Sequence, residues 1–221
     1  MRETFDRRVV PDAILHLLRR LGAHEDVRLA GGLALSGAHL AHRKSDDVDL
    51  FVRDADGHRR AIRVLQELVR ADGGRVDVVQ GAPSFWRAEI ELATGVTRRF
   101  DVVHERVAAI VPDGEIIEGV VVESWPDLRA AKLTCLLSRS EPRDLVDVMF
   151  LERAGHPPES DLELALMKDA GMDPGTLAWL LSQFPTSPLP SMLEPLSEEA
   201  LRRYRDELAT RMKRLATAVR G

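Results

Sequence analysis

Residues 42–54, HRKSDDVDLFVRD, set four aspartates against the apolar residues Val48, Leu50, Phe51 and Val52. Asp47 and Asp49 are two apart, so on a β-strand their carboxylates share one face while Val48 and Leu50 point the other way, into a core. Two like charges that close repel each other unless a cation sits between them. Hard oxygen donors suit Mg2+ or Mn2+, ions that keep part of their water and bind phosphate as well. A solvated strand end is the bland alternative for Asp-x-Asp standing alone. It does not stand alone. Gly31-Gly32 follows a short strand and opens a helix, where free backbone N–H groups and the absence of a Cβ allow close approach of a phosphate. A third carboxylate lies on a later strand. Asp101 in RRFDVV is preferred because that segment leads toward the helical half, with Asp77 in RVDVV as the rival. Three aspartates on adjacent strands can hold two metal ions, one for a triphosphate and one that lowers the pKa of an attacking hydroxyl.

These side chains need strands and helices in a definite order to meet. Apolar periodicity predicts a helix over 11–21, with Ile14, Leu17, Leu18 and Leu21 on one face. A short strand at 27–29 runs into Gly31-Gly32 and the helix LALSGAHLAH. Strand 48–52 and helix 56–71 follow, the helix turning Ile62, Leu65 and Leu68 or Val69 inward and ending at Gly73-Gly74. Strands are predicted at 76–79, 86–92 and 99–103, then a β-ribbon in VPDGEIIEGVVVES with Asp113-Gly114 as its turn. From Ser124, a candidate N-cap, the period is helical, with helices at 127–138, 142–153, 159–170, 174–182 and 197–219. FPTSPLPSMLEP, with four prolines, is a loop. The expected class is α+β: an α/β lobe with a mixed sheet over 1–123, then an all-helical lobe over 124–221.

With 221 residues the chain can bury a sizeable core, and 44% hydrophobic and 30% charged residues are those of an ordinary globular protein. No apolar run approaches the length of a membrane span. The charged N-terminus, MRETFDRRVV, lacks a signal peptide's apolar stretch, so a cytoplasmic location is expected. One cysteine, Cys135, excludes an internal disulfide framework and reads as a small buried hydrophobe. The net charge of −5 is uneven, and residues 201–221 hold seven basic side chains against two acidic ones. Any nucleic-acid contact must therefore come from local patches.

The ordered set LAGGLALSGAHLAHRKSDDVDLF, FDVV and WPDLRAAKLTCLLSRSEPRDLVDVMFL resembles the AbiEii/AbiGii-type toxin nucleotidyltransferases, of the DNA polymerase β-like superfamily. That resemblance covers about 120 residues, from Leu29 to Leu151. It implies an enzyme that transfers NMP from an NTP to an acceptor, releasing pyrophosphate, with RNA (the tRNA 3′ end) as acceptor. It also implies a toxin of a toxin–antitoxin or phage-defence system, restrained by a cognate antitoxin. By the family's motifs Asp47, Asp49 and Asp101 are the metal ligands for Mg2+ or Mn2+. Gly31, Gly32 and Ser36 hold the β- and γ-phosphates, and Arg43 and Ser45 line the phosphate side. Lys132 contacts the triphosphate and Asp144 completes the catalytic set, with Arg143 and Asp147 beside it. A non-catalytic nucleotide-binding module and an aminoglycoside-type small-molecule enzyme remain open on the same scaffold.

Each element also has an ordinary reading. Lys132 can snorkel from an apolar helix, although it is one of only four lysines among 31 basic residues. Arg143 and Asp147, four apart, can pair on a helix surface, and Asp144 and Asp147 share a face near a helix start. His39 and His42 have chelate spacing, but no cysteine or further histidine is in register for zinc, and His42 is read as orienting Asp47 or Arg43. The last helix has an apolar stripe, Leu201, Tyr204, Leu208, Met212 and Leu215, and a basic remainder that is either solvated or a contact for a tRNA backbone.

Overall fold

The computed structural model describes residues 3–218. Met1 and Arg2 of the charged N-terminus, Val219, at which the last helix is expected to end, and Arg220 of the basic tail lie outside them. The chain divides into two compact units, Met1–Ser124 and Trp125–Gly221.

The first unit is built on a mixed sheet of seven strands: β1 Arg28–Ala30, β2 Asp47–Val52, β3 Arg75–Ala82, β4 Phe85–Glu91, β5 Thr97–His104, β6 Glu115–Ile117 and β7 Val120–Val122, in the order β3-β4-β5-β2-β1-β7-β6. β2 runs parallel to β5, and β1 parallel to β7; the other pairs are antiparallel. Burial alternates along β2 as the aspartate spacing predicts, with Val48, Leu50 and Val52 buried between half-buried neighbours. Phe100, Val102, Ala88 and Ile90 extend that apolar face across β5 and β4, all with no exposed surface. Burial of each large side chain contributes about 1.5–3 kcal/mol. Two helices supply facing residues: α1 Asp12–Gly22 through Ile14, Leu15, Leu17, Leu18 and Leu21, and α3 Ala55–Ala71 through Ala61, Leu65 and Val69. Asp54 caps α3 by accepting from Gly57 N at 2.7 Å. His58, buried on the same helix, bonds Val102 O at 3.0 Å.

One turn differs from expectation. The β6–β7 ribbon turns at Glu118-Gly119, not at Asp113-Gly114, which precedes β6. Both turn residues have positive φ, 48° and 82°, as a tight two-residue hairpin demands. A glutamate rarely accepts that conformation. Here its carboxylate takes a fork from Arg7 at 2.8 and 2.7 Å and the Phe5 N–H at 2.8 Å. The pairing with Arg7 holds its pKa down to about 2.

The second unit is helical: α4 Trp125–Ser138, α5 Pro142–Arg153, a 3-10 turn Pro158–Asp161, α6 Leu162–Lys168, α7 Pro174–Gln183 and α8 Glu198–Ala218. Proline at N1 and an Asp173 side chain accepting from Thr176 N start α7. Leu201, Tyr204, Leu208 and Met212 form the buried stripe of α8. Tyr204 donates to Glu152 on α5 at 2.8 Å. Strands followed by helices give the α+β class that the sequence predicts. Among the described residues no helix is long and apolar enough to cross a membrane.

Candidate active site

The face of the first unit's sheet opposite its apolar core carries the charge. In register, Asp49 on β2 stands across from Asp101 on β5, and Asp101 across from Arg87 on β4. One pleat along, Asp47 stands across from Arg99, and Arg99 across from Glu89. Directly opposed residues project to the same side of a sheet, so the register alone brings Asp47, Asp49 and Asp101 onto one face. Asp77 is further out. It sits on β3, two strands beyond β5, exposed and paired with Arg75 at 2.9 Å.

Two arginines engage these acids. Arg87 forks onto Asp101, Nε to Oδ1 at 2.8 Å and Nη2 to Oδ2 at 2.5 Å. Arg99 meets Asp47 at 2.6 Å. The Arg87 pKa is raised, first by its hydrogen bonds to Asp101 and then by the charges of Asp101, Asp47 and Asp49. Its guanidinium therefore feels all three carboxylates.

The glycine pair borders the same acids. Ala30, at the end of β1, stands across from Asp49, and the chain then turns into α2, Gly31–Ala34, and a π-helical turn, Leu35–Leu40. Gly31 has φ +64°, and a Cβ there would overlap Asp49 Oδ2. A Cβ on Gly32 would lie 2.7 Å from Arg43 Nη2 and 3.0 Å from Ser45 Oγ. Asp49 and Arg43 can pack this closely because these two residues have no side chains. Arg43 and Ser45 are buried beside them. Ser36 differs from expectation. It is fully buried, and its hydroxyl donates to Arg43 O at 2.5 Å and accepts from Arg43 N at 3.3 Å. It fixes the turn that carries Arg43 instead of facing a ligand.

Three carboxylates on adjacent strands beside a glycine pair match hard divalent ions and phosphate in donor type. Among the described residues, however, no group of three or more His, Cys, Asp or Glu side chains is gathered to hold a metal ion. Asp101 is engaged by the Arg87 fork and Asp47 by Arg99. His42 is fully buried, and His39, its pKa lowered chiefly by burial, stands 4.0 Å from Glu115.

Lys132 and Asp144 lie in the second unit, on α4 and α5. Lys132 does not snorkel. It is 3% exposed, with its ammonium 2.7 Å from Asp147 and 3.4 Å from Asp144, both fully buried. Arg139 completes the group, bonding Asp144 at 2.8 and 2.9 Å. Burial opposes the charge of Arg139, but the hydrogen bonds to Asp144 together with the charges of Asp144 and Glu141 outweigh it and its pKa is raised. Asp147 thus pairs with Lys132, and Arg143 turns to Glu141 at 2.5 Å.

The family described as nucleotidyl transferase AbiEii toxin, type IV TA system, matches residues 14–220. The chain belongs to that family. This AbiEii-family nucleotidyltransferase is also similar in fold to two solved structures. JHP933 from Helicobacter pylori superposes with a TM-score of 0.60 at 19% identity, over 95% of each chain. MenT4, the nucleotidyltransferase toxin Rv2826c from Mycobacterium tuberculosis H37Rv, superposes with a TM-score of 0.53 at 18% identity, over 94% of this chain and 88% of that one. No curated protein matches the sequence. The toxin's Arg87, Arg99 and Arg139 were not among the residues singled out by motif. Arg99 had a signal, its place two residues before Asp101; Arg87 had none, because its partner is set by strand register.

Proposed function

We propose that this AbiEii-family toxin transfers NMP from an NTP to an RNA acceptor, the tRNA 3′ end being the preferred target, with Mg2+ or Mn2+ and under the control of a cognate antitoxin. The observation that carries this is the register that sets Asp47, Asp49 and Asp101 on one sheet face beside the Gly31-Gly32 turn. Within this reading Met1–Ser124 is the nucleotidyltransferase lobe and Trp125–Gly221 the helical lobe.

Each residue then has a chemical task. Asp47, Asp49 and Asp101 would hold the divalent ion, which when bound supplies Lewis-acid charge at the α-phosphate and lowers the pKa of the acceptor hydroxyl. Gly31 and Gly32 offer backbone to the β- and γ-phosphates, with Arg43 and Ser45 beside them and Ser36 fixing the Arg43 turn. Lys132 and Asp144, which the family's motifs assign to catalysis, lie in the second unit, where Asp147 and Asp144 hold the Lys132 ammonium. The acceptor oxygen forms a bond to the α-phosphorus, the bond from that phosphorus to the bridging oxygen breaks, and pyrophosphate leaves with the electron pair. Asp101 takes the hydroxyl proton. Positioning and charge neutralisation supply most of the rate. Exposed Arg202, Arg203, Lys213 and Arg214 on α8 favour an anionic polymer as acceptor.

Purified toxin with Mg2+, labelled NTPs and total tRNA is the test. The wild type is expected to label RNA and Asp49→Asn to label none while keeping its melting temperature. No labelling by any NTP, or equal labelling by Asp49→Asn, overturns the proposal.

A further inference from the structure

The arginine fork on Asp101 has a chemical consequence for the cation site. Both Asp101 oxygens accept from Arg87, and a bidentate, charge-assisted pair is the strongest geometry an arginine can make with a carboxylate. The guanidinium is held from its other side too, 5.1 Å over the Phe85 ring. Its strand is fixed on both edges, pairing with β3 and with β5. Asp101 is nearly covered, its side chain 8% exposed, whereas the Arg87 side chain is 32% exposed. Arg87 thus has access to water while Asp101 does not, so a second cation that takes over Asp101 can displace the arginine into solvent. Two carboxylates of this face, Asp101 and Asp47, are thus already engaged by Arg87 and Arg99. A divalent ion arriving with both arginines in place meets a partly neutralised cluster whose third carboxylate is already engaged.

We propose that Arg87 is the resident counter-cation of the acidic face: it holds the Asp101 carboxylate in the metal-free protein and competes with a divalent ion for it. This rests on the reading of Asp47, Asp49 and Asp101 as a cation site. Arg87 is a positioning residue in this scheme, acting through Asp101. Because the two cations exclude each other on one carboxylate, the linkage is reciprocal: whatever weakens the fork tightens the metal, and metal binding releases the fork.

Mn2+ titration of the full chain without nucleotide, followed by loss of the free-ion EPR signal, reads this directly. Arg87→Gln is expected to bind Mn2+ about tenfold more tightly than wild type. Arg87→Lys, which keeps the charge and loses the fork, is expected to fall between them. Unchanged or weaker binding by Arg87→Gln overturns the proposal and makes the arginine a buttress for Asp101. Circular dichroism checks folding; if Arg87→Gln does not fold, Arg87→Lys decides, with tighter binding expected and equal or weaker binding overturning the idea. Asp49→Asn separates the two levels. Where it abolishes Mn2+ uptake and the Arg87 variants do not tighten it, only the counter-cation role is lost. Where uptake survives Asp49→Asn in wild-type and Arg87→Gln backgrounds, the cation site itself is misassigned and the counter-cation role falls with it.

Discussion

The acidic sheet face and the buried cluster of the helical unit are made from the same side chains and solve opposite problems. On the sheet, Asp101 and Asp47 meet Arg87 and Arg99 at the edge of solvent. In the helical unit, Asp144 and Asp147 face Lys132 and Arg139, and the charges cancel. A buried ion pair survives only when its charges are matched and hydrogen-bonded. The second cluster meets that condition and is closed. The arginines of the first are about a third exposed, so its pairs border water. Similar motifs in sequence thus differ in setting: one set of pairs is open to solvent and the other is sealed.

Asp49→Asn probes the open side of this contrast most sharply. Activity is expected to fall by about 10³-fold, while urea denaturation shows a stability change within about 1 kcal/mol. A large loss of stability instead would make the sheet face structural and erase the contrast. Lys132→Met probes the closed side. It leaves two buried carboxylates facing one arginine, so urea denaturation should show a loss of about 3–5 kcal/mol. The double variant Lys132→Met with Asp147→Leu should recover much of it. Should Lys132→Met unfold no more readily than wild type yet lose activity, the cluster is a reserve of catalytic charge, not a packed ion group.

Gly31→Ala tests whether the glycine turn and the acids are one site. The added methyl overlaps the Asp49 carboxylate at a positive φ, and displacing that group by about an ångström should cost roughly 10²-fold in turnover. Turnover equal to wild type would separate glycine from aspartate.

The smallest effect is reserved for a control. Glu118 is also gripped by an arginine fork, but in a hairpin away from the acidic face. Its folded-state pKa lies below the ordinary 4.5, at about 2. Its charge therefore supports the fold above about pH 4.5, and that support is lost as pH falls toward 2. Glu118→Gln should leave nucleotide transfer intact and reduce stability slightly at neutral pH, with the gap to wild type closing on acidification. A gap that stays constant with pH would mean the hairpin is held by something other than this charge.

Much of the architecture was legible because it is local. The two-residue alternation of 48–52 announced β2, and the leucines of α1 and α8 announced their buried faces, since period alone decides which side a residue occupies. Gly31-Gly32 before a helix was legible for the same reason. The ribbon turn was not. Asp113-Gly114 and Glu118-Gly119 are both two-residue candidates by composition, and the choice fell to Glu118 because Arg7 and Phe5, over a hundred residues away, stabilise its carboxylate. The family's motifs assign Ser36 a phosphate contact, and in the fold its hydroxyl bonds the backbone of Arg43. Lys132 could snorkel by its place on an apolar helix, yet it is buried against Asp147 and Asp144, because an unpaired buried ammonium is costly.

By itself the sequence determined which residues carry charge, which face of each strand or helix they occupy, and the order in which the elements follow one another. These properties depend on neighbours within a few positions, where backbone geometry is fixed by period. Only the tertiary structure decided that Asp101 rather than Asp77 stands across from Asp49, that Arg87 forks onto it, and that Lys132 is sealed between two aspartates. Strand order and cross-strand register join residues far apart in the chain, and the energy that selects them belongs to the packed whole.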